Sequence, residues 1–132
     1  MLKMIFLSIM ILAFTIYAQK GENGSTCNFS KTDSLLNQVY GQVIKEYKQD
    51  TLFIIKLKEA QRAWIKFRDA YLESRFPIMP KSNQYNEYGS IYPYCACVIM
   101  TDLTKERIKQ LQAWLNGTVE GDVCGGSYKT KN

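Results

Sequence analysis

Apolar residues recur at spacings of three and four along the middle of the chain. Between about residues 50 and 75 they form one stripe, which consists of Phe53, Leu57, Ala60, Trp64, Phe67 and Tyr71. Charged side chains occupy the other faces, as in a helix that packs one side against a core. Asp50 is a natural N-cap, and Pro77 and Pro80 cannot continue the helix. The pattern therefore predicts a long amphipathic helix that buries this stripe.

Two further helices are predicted on either side of this one. The first covers about residues 31–48 and is capped by Thr32 or Asp33, and the third covers about residues 94–116 and ends at Gly117. The apolar stripe of the first helix consists of Leu36, Val39, Tyr40, Val43 and Tyr47. The stripe of the third consists of Met100, Leu103, Arg107, Leu111 and Trp114. No strand pattern competes, so the sequence predicts an all-α fold, a small three-helix bundle stapled by disulfides.

The segment Pro77–Pro93 between the second and third helices is rich in Tyr, Asn, Ser and Gly. It is predicted as a loop, and loops of that length without their own structure are often functional. Tyrosine with small polar residues suits protein recognition. The predicted partner-binding residues are Tyr85, Tyr88, Ser90 and Tyr92. The alternative, that these tyrosines and Tyr94 fold back onto the bundle, stays open at this stage.

The amino terminus has the plan of a secretory signal peptide. One cation, Lys3, precedes the apolar run Met4–Tyr17, and cleavage is expected after Ala18. A transmembrane anchor is the alternative, but the run is shorter than the roughly 20 residues that span a bilayer. We expect a polar leader over residues 19–30, a helical domain over 31–124 and a flexible tail over 125–132. The exported protein is expected in the periplasm or medium, without stable membrane insertion.

Composition excludes several classes of chemistry. The chain has no histidine, which removes Ser-His-Asp and Cys-His catalysis and every histidine-ligated zinc site. A lone C-x-C lacks the paired knuckles of a four-cysteine zinc site, and no glycine-rich phosphate loop occurs. We therefore predict no catalytic residue, metal or cofactor. The formal charge of +5 is spread along the chain and predicts no nucleic-acid partner.

The four cysteines predict disulfides, because an even number in an exported chain is typical of a bonded framework. Cys95 and Cys97 lie two apart, and on a helix their side chains point about 200° from each other, which disfavours a bond between them. Two connectivities remain open: Cys27–Cys95 with Cys97–Cys124, or Cys27–Cys97 with Cys95–Cys124. Either would tether the tail through Cys124.

The segment LKEAQRAWIKFRDA, with GSIYP and LTKERIKQL further on, resembles the lysozyme inhibitor LprI-like family of exported bacterial proteins. The resemblance covers roughly residues 30–112. Its motif residues are Gln61, Trp64, Arg68, Asp69 and Arg107, which we interpret as structural. Arg68 is expected to fix the second helix against a neighbour through charge-assisted hydrogen bonds. Relatives place a cysteine near Cys97, which favours the Cys27–Cys97 connectivity.

The resemblance implies a binding protein that is not an enzyme, with lysozyme as the candidate partner. Two alternatives from the sequence stay open. One is an envelope protein with an unrelated binding role. The other is a cell-wall glycoside hydrolase that would act through Asp69, Glu73 or Glu87.

Overall fold

The computed structural model describes residues 27–131, so the predicted signal peptide lies outside the described residues. Within that range the chain forms three long helices and one short helix. These are α1 (Phe29–Glu46), α2 (Thr51–Arg75), α3 (Gln84–Tyr88) and α4 (Tyr92–Asn116). The predicted all-α class is confirmed. The domain boundaries predicted at residues 18, 30 and 124 stay predictions.

The start of α2 follows the sequence signal directly. The carboxylate of Asp50 accepts a hydrogen bond from the backbone N–H of Phe53 at 2.9 Å, and the helix ends at Arg75, just before Pro77.

The cap predicted for α1 was wrong. Asn28, rather than Thr32 or Asp33, accepts from the backbone N–H of Lys31 at 3.0 Å. Several residues in this stretch can cap a helix, and one that precedes the predicted pair does so, which moves the start to Phe29.

The start predicted for α4 was also two residues late. The helix begins at Tyr92 and contains Pro93 in its first turn. Proline is tolerated there because an N–H in the first turn has no partner within the helix. Gly117 ends α4 with φ +70°, as the sequence predicts.

The segment predicted as an unstructured loop contains the short helix α3. The side chain of Asn83 caps it by accepting from the backbone N–H of Asn86 at 2.9 Å. Gly89 ends it with φ +72°, a conformation that favours glycine. The connection between α2 and α4 is thus partly ordered by its own hydrogen bonds.

The first and last long helices form the closest helix pair. A disulfide joins Cys27 to Cys97 near their starts, and the Tyr47 hydroxyl donates to the Trp114 carbonyl near their ends at 3.0 Å. The two helices therefore run parallel, and α2 returns antiparallel to both. The buried apolar residues are Leu36, Val39 and Val43 from α1, Phe53 and Leu57 from α2, and Ile108 and Leu111 from α4.

The stripe predicted for α2 is partly wrong. Phe53 and Leu57 are buried, but Ala60 is exposed and the Phe67 side chain is 54% exposed. Gln61 is buried in place of Ala60, so the contact line shifts by one residue along the helix. Gln61 is buried because Arg107 of α4 donates a hydrogen bond to its side chain.

The disulfide Cys27–Cys97 agrees with one of the predicted connectivities, with its Cα atoms 6.0 Å apart. The second bridge was wrong, because Cys95 and Cys124 are free thiols. From Cys95 to Asn116 the helix α4 spans about 30 Å. Cys124 lies beyond that far end, where the tail packs, so the two sulfur atoms cannot meet.

The tail is held against the ends of α1 and α4 by non-covalent contacts, and not by a disulfide of Cys124. The ring of Tyr128 lies 5.2 Å from the ring of Trp114 in an edge-to-face arrangement. The backbone N–H of Lys129 donates to the Tyr47 hydroxyl at 2.9 Å, and its ammonium group binds Glu46 at 2.6 Å.

Among residues 27–131 we find no helix with the length and apolar character needed to cross a bilayer.

Candidate functional site

The motif residues of α2 and α4 meet inside the bundle. Arg107 is buried, and its Nε donates to the side-chain oxygen Oε1 of Gln61 at 3.0 Å, while Nη1 donates to Oε1 of Gln110 at 2.9 Å. Burial lowers the pKa of the Arg107 guanidinium from its ordinary value, because the charged form loses solvation. The group still carries its charge at neutral pH. Gln61 thus hydrogen-bonds a buried cation across two helices.

Trp64 lies between two guanidinium groups. The centre of its ring is 5.4 Å from the Arg68 guanidinium carbon and 6.0 Å from that of Arg107. Both distances fit cation–π contacts, which are stronger when partly desolvated. The Trp64 ring also packs against the apolar core. This residue therefore joins the core to a polar cluster, which consists of Gln61, Arg68, Arg107 and Gln110.

Arg68 connects α2 to α1. Its Nη1 lies 3.6 Å from the Asp33 carboxylate, its Nε donates to Asp69 at 2.9 Å, and its guanidinium lies 5.5 Å from the ring of Phe29. The side chain is only 13% exposed. A charged group so covered by protein leaves little surface for an external partner. The contacts support the structural interpretation of these motif residues, which stays a prediction until it is tested.

Replacing Arg68 with Met tests that interpretation. Methionine keeps the packing of the aliphatic stem but removes the ion pair with Asp33 and both cation–π contacts. We expect the free energy of unfolding to fall by about 1–2 kcal/mol, measured by urea denaturation. Arg62→Met, on the exposed side of the same helix, is the matched control and should change stability by less than about 0.5 kcal/mol. Normal stability of Arg68→Met together with lost partner binding would contradict a structural role.

Aromatic residues organise the connection between α2 and α4. The ring of Phe76 makes edge-to-face contacts with Tyr88 and Tyr92, at centroid distances of 5.1 and 5.2 Å. The Tyr88 hydroxyl donates to the Pro77 carbonyl. Tyr88 and Tyr92 are thus half-buried and pack against other residues of the connection.

Other side chains of the connection point to solvent. Tyr85 is 63% exposed, and Ser90, five residues further along the chain, is also exposed. The large exposed side chains form what we call the connection surface, which consists of Ile78, Met79, Tyr85, Ile91 and Tyr94. Of the predicted partner-binding residues, Tyr85 and Ser90 are open to a partner. Sequence reasoning missed Met79 and Ile91, although apolar residues in a proline-bounded connection are themselves a signal.

The carboxylates considered for glycoside chemistry do not form a site. Arg68 holds Asp69 in a hydrogen-bonded ion pair, and Glu73 is exposed one turn further along α2. Glu87 is exposed on α3. An open groove between α4 and the end of α2 is lined by Tyr71, Leu103 and neighbouring residues, but by none of these three carboxylates. Within residues 27–131, no three or more His, Cys, Asp or Glu side chains cluster as metal ligands would.

Comparison with known protein families matches residues 25–111 to a family described as "Lysozyme inhibitor LprI". The matched region contains α1, α2, α3 and most of α4, including every residue of the polar cluster. It ends before the tail that packs on Trp114. No curated protein and no solved structure matches the chain.

Proposed function

This chain belongs to the lysozyme inhibitor LprI family, and on that premise we propose that it is an exported protein that binds and blocks a lysozyme. The family match carries the proposal. We further propose that the connection surface makes the contact. The polar cluster is a poor alternative, because Gln61 and Arg107 are buried and Arg68 is only 13% exposed.

The chemistry of the connection surface supports this assignment. It presents tyrosine, methionine and isoleucine side chains, with Ser90 and Asn86 as adaptable polar neighbours. Tyrosine and methionine are enriched in protein interfaces, where tyrosine supplies a large contact area at a low entropic cost. Residues of this kind can fill a cleft and exclude water from it.

The surface is also ordered before it meets a partner. The rings of Phe76, Tyr88 and Tyr92 pack together within the same connection, and the Asn83 cap holds α3. A binding surface that is already ordered loses less conformational entropy on association. This favours a direct contact over one that requires the connection to fold.

Charge does not oppose the proposal at this end of the bundle. The chain as a whole is positive, and a basic lysozyme would gain no steering from it. Residues 76–94, however, contain one cation, Lys81, and one anion, Glu87. The connection therefore has no net charge. Binding through it should depend on packing and vary little with ionic strength.

The proposed location is the periplasm or the surrounding medium, consistent with the predicted signal peptide and with the exported relatives. We propose no catalytic role. The two alternatives, an unrelated binding role in the envelope and a cell-wall hydrolase, are separated by the following experiment.

The exported form of the protein is added to lysozymes of several structural types, and lysis of cell-wall substrate is followed. We expect inhibition of at least one type. Tyr85→Ala should weaken that inhibition about 10–30-fold, the effect expected for loss of an exposed aromatic anchor. Phe67→Ala is the matched control, since it removes an exposed aromatic ring from α2, away from the connection. It should leave inhibition unchanged, and so should added salt.

Hydrolysis of the substrate by this protein alone would favour the enzyme alternative. Absence of both hydrolysis and inhibition would favour an unrelated partner. Inhibition that Phe67→Ala weakens as much as Tyr85→Ala would place the contact elsewhere on the surface.

A further inference from the structure

The outer face of α2 has cationic and apolar side chains that no other part of the described structure covers. The face consists of Leu52, Ile55, Lys58, Arg62, Ile65 and Lys66, all exposed. At 3.6 residues per turn these positions fall within an arc of about 140° that excludes Leu57 and Gln61, which face the core. The stretch is about 20 Å long at 1.5 Å per residue. We call it the basic face.

The cations of the basic face have no anionic partner within the described residues. Lys58, Arg62 and Lys66 form none of the salt bridges found between residues 27 and 131. The one acid within the face, Glu59, is held by Lys56 at 2.9 Å. Further along the same side, Asp69 and Glu73 end the basic stretch. The positive charge is therefore concentrated on the first two thirds of α2.

Large apolar side chains lie among these cations. Leu52 is 68% exposed and Ile55 is 48% exposed, one turn apart at the start of the helix. Single exposed aliphatic residues are common on protein surfaces, so it is their position among these cations that distinguishes this face. Interleaved cations and aliphatic residues on one side of a helix match the interfacial region of a bilayer, where anionic headgroups meet acyl chains.

From this arrangement we propose that the basic face binds the surface of a membrane that contains anionic lipids. The cations contact phosphate groups, while Leu52 and Ile55 enter the boundary between headgroups and acyl chains. The helix lies in the plane of the membrane and remains on its surface. A soluble polyanion would use the cations equally well, but it offers nothing to the exposed aliphatic residues. The inference is independent of the proposed inhibition of lysozyme, because it uses a different surface.

Sedimentation with lipid vesicles tests the proposal. The exported form is used, so that the predicted signal peptide adds no apolar segment. Vesicles of phosphatidylglycerol mixed with phosphatidylcholine are compared with vesicles of phosphatidylcholine alone. We expect binding only to the mixed vesicles and its loss at high salt. K58Q/R62Q/K66Q should lower the partition coefficient about 100-fold, since each cation near an anionic surface contributes about fivefold.

Two further variants make the test specific. L52S/I55S keeps the charge and should weaken binding about tenfold, because its side chains no longer enter the apolar boundary. K31Q/K81Q/K131Q removes the same number of cations from other exposed positions and should change binding less than about fivefold. All eight positions are exposed, and circular dichroism verifies that each variant is folded.

Three results would overturn the proposal. The first is that the parent protein does not sediment with the mixed vesicles. The second is equal loss in the two charge variants, which would show an effect of net charge alone. The third is unchanged binding of L52S/I55S, which would indicate purely electrostatic adsorption and a soluble polyanion as the fitting partner.

Discussion

Removing the bond between Cys27 and Cys97, by replacing both with Ser, should lower the free energy of unfolding by about 4 kcal/mol in the chain-entropy description of a disulfide. The bond joins residues 70 apart in the chain. Without it, the unfolded chain gains the freedom that this large closed loop denies it. A small domain buries a limited core, so a loss of this size is a large part of its stability. Both cysteines are replaced so that no lone thiol can pair with Cys95 instead. Urea denaturation measures the difference.

The matched control is the double replacement of Cys95 and Cys124 by Ser. Both are free thiols, so this variant should unfold within about 1 kcal/mol of the parent. A large loss there, together with little effect of removing Cys27 and Cys97, would mean that the bonded pair is the other one.

Replacing Trp64 with Ala should lower the free energy of unfolding by about 3 kcal/mol. The ring is only partly buried, which places the expected loss near the lower end of the range for removing a large aromatic side chain. Two further terms add to the lost apolar contact. The guanidinium groups of Arg68 and Arg107 both lie against this ring, and the variant would leave the buried one facing a cavity.

Phe67→Ala is the control for this prediction. Both residues belong to the apolar stripe that the sequence predicts, yet the structure exposes Phe67 to solvent. We expect the control to change the free energy of unfolding by less than about 1 kcal/mol. Equal losses in the two variants would show that the predicted stripe was right and that the contact line in the structure is wrong.

The parts of the fold that a single segment determines could be predicted from the sequence. Asp50 caps α2, prolines follow its end, and Gly117 ends α4, because each of these effects depends on a few adjacent residues. The all-α fold class could be predicted for the same reason, because the helical spacing of apolar residues is a property of each segment alone. The sequence was ambiguous where several residues could cap the same helix. At the start of α1, Asn28 is the cap, although Thr32 and Asp33 are equally suitable residue types.

The contact line of α2 could be predicted only in part, because some of it depends on residues far away in the chain. Apolarity favours Ala60 and Phe67, but Gln61 and Arg68 occupy the interface instead. Their partners, Arg107 and Asp33, lie on other helices. The helical pattern predicts that polar residues face solvent. It cannot show that a residue far away in the chain forms a hydrogen bond or an ion pair with them. The same limit applies to the connection surface, since only the contacts of Phe76 show which tyrosines fold back.

The parallel pairing of α1 with α4 also bears on how quickly the chain folds. The closest helix contacts join segments about 70 residues apart, whereas most small bundles begin with helices that are neighbours in sequence. A chain without the disulfide must close that large loop, at an entropic cost, before the core contacts can stabilise it. Once Cys27 and Cys97 are joined in an oxidising compartment, the two helices start close together and the search is short. We therefore expect the chain to refold faster with the bond between Cys27 and Cys97 intact than after its reduction.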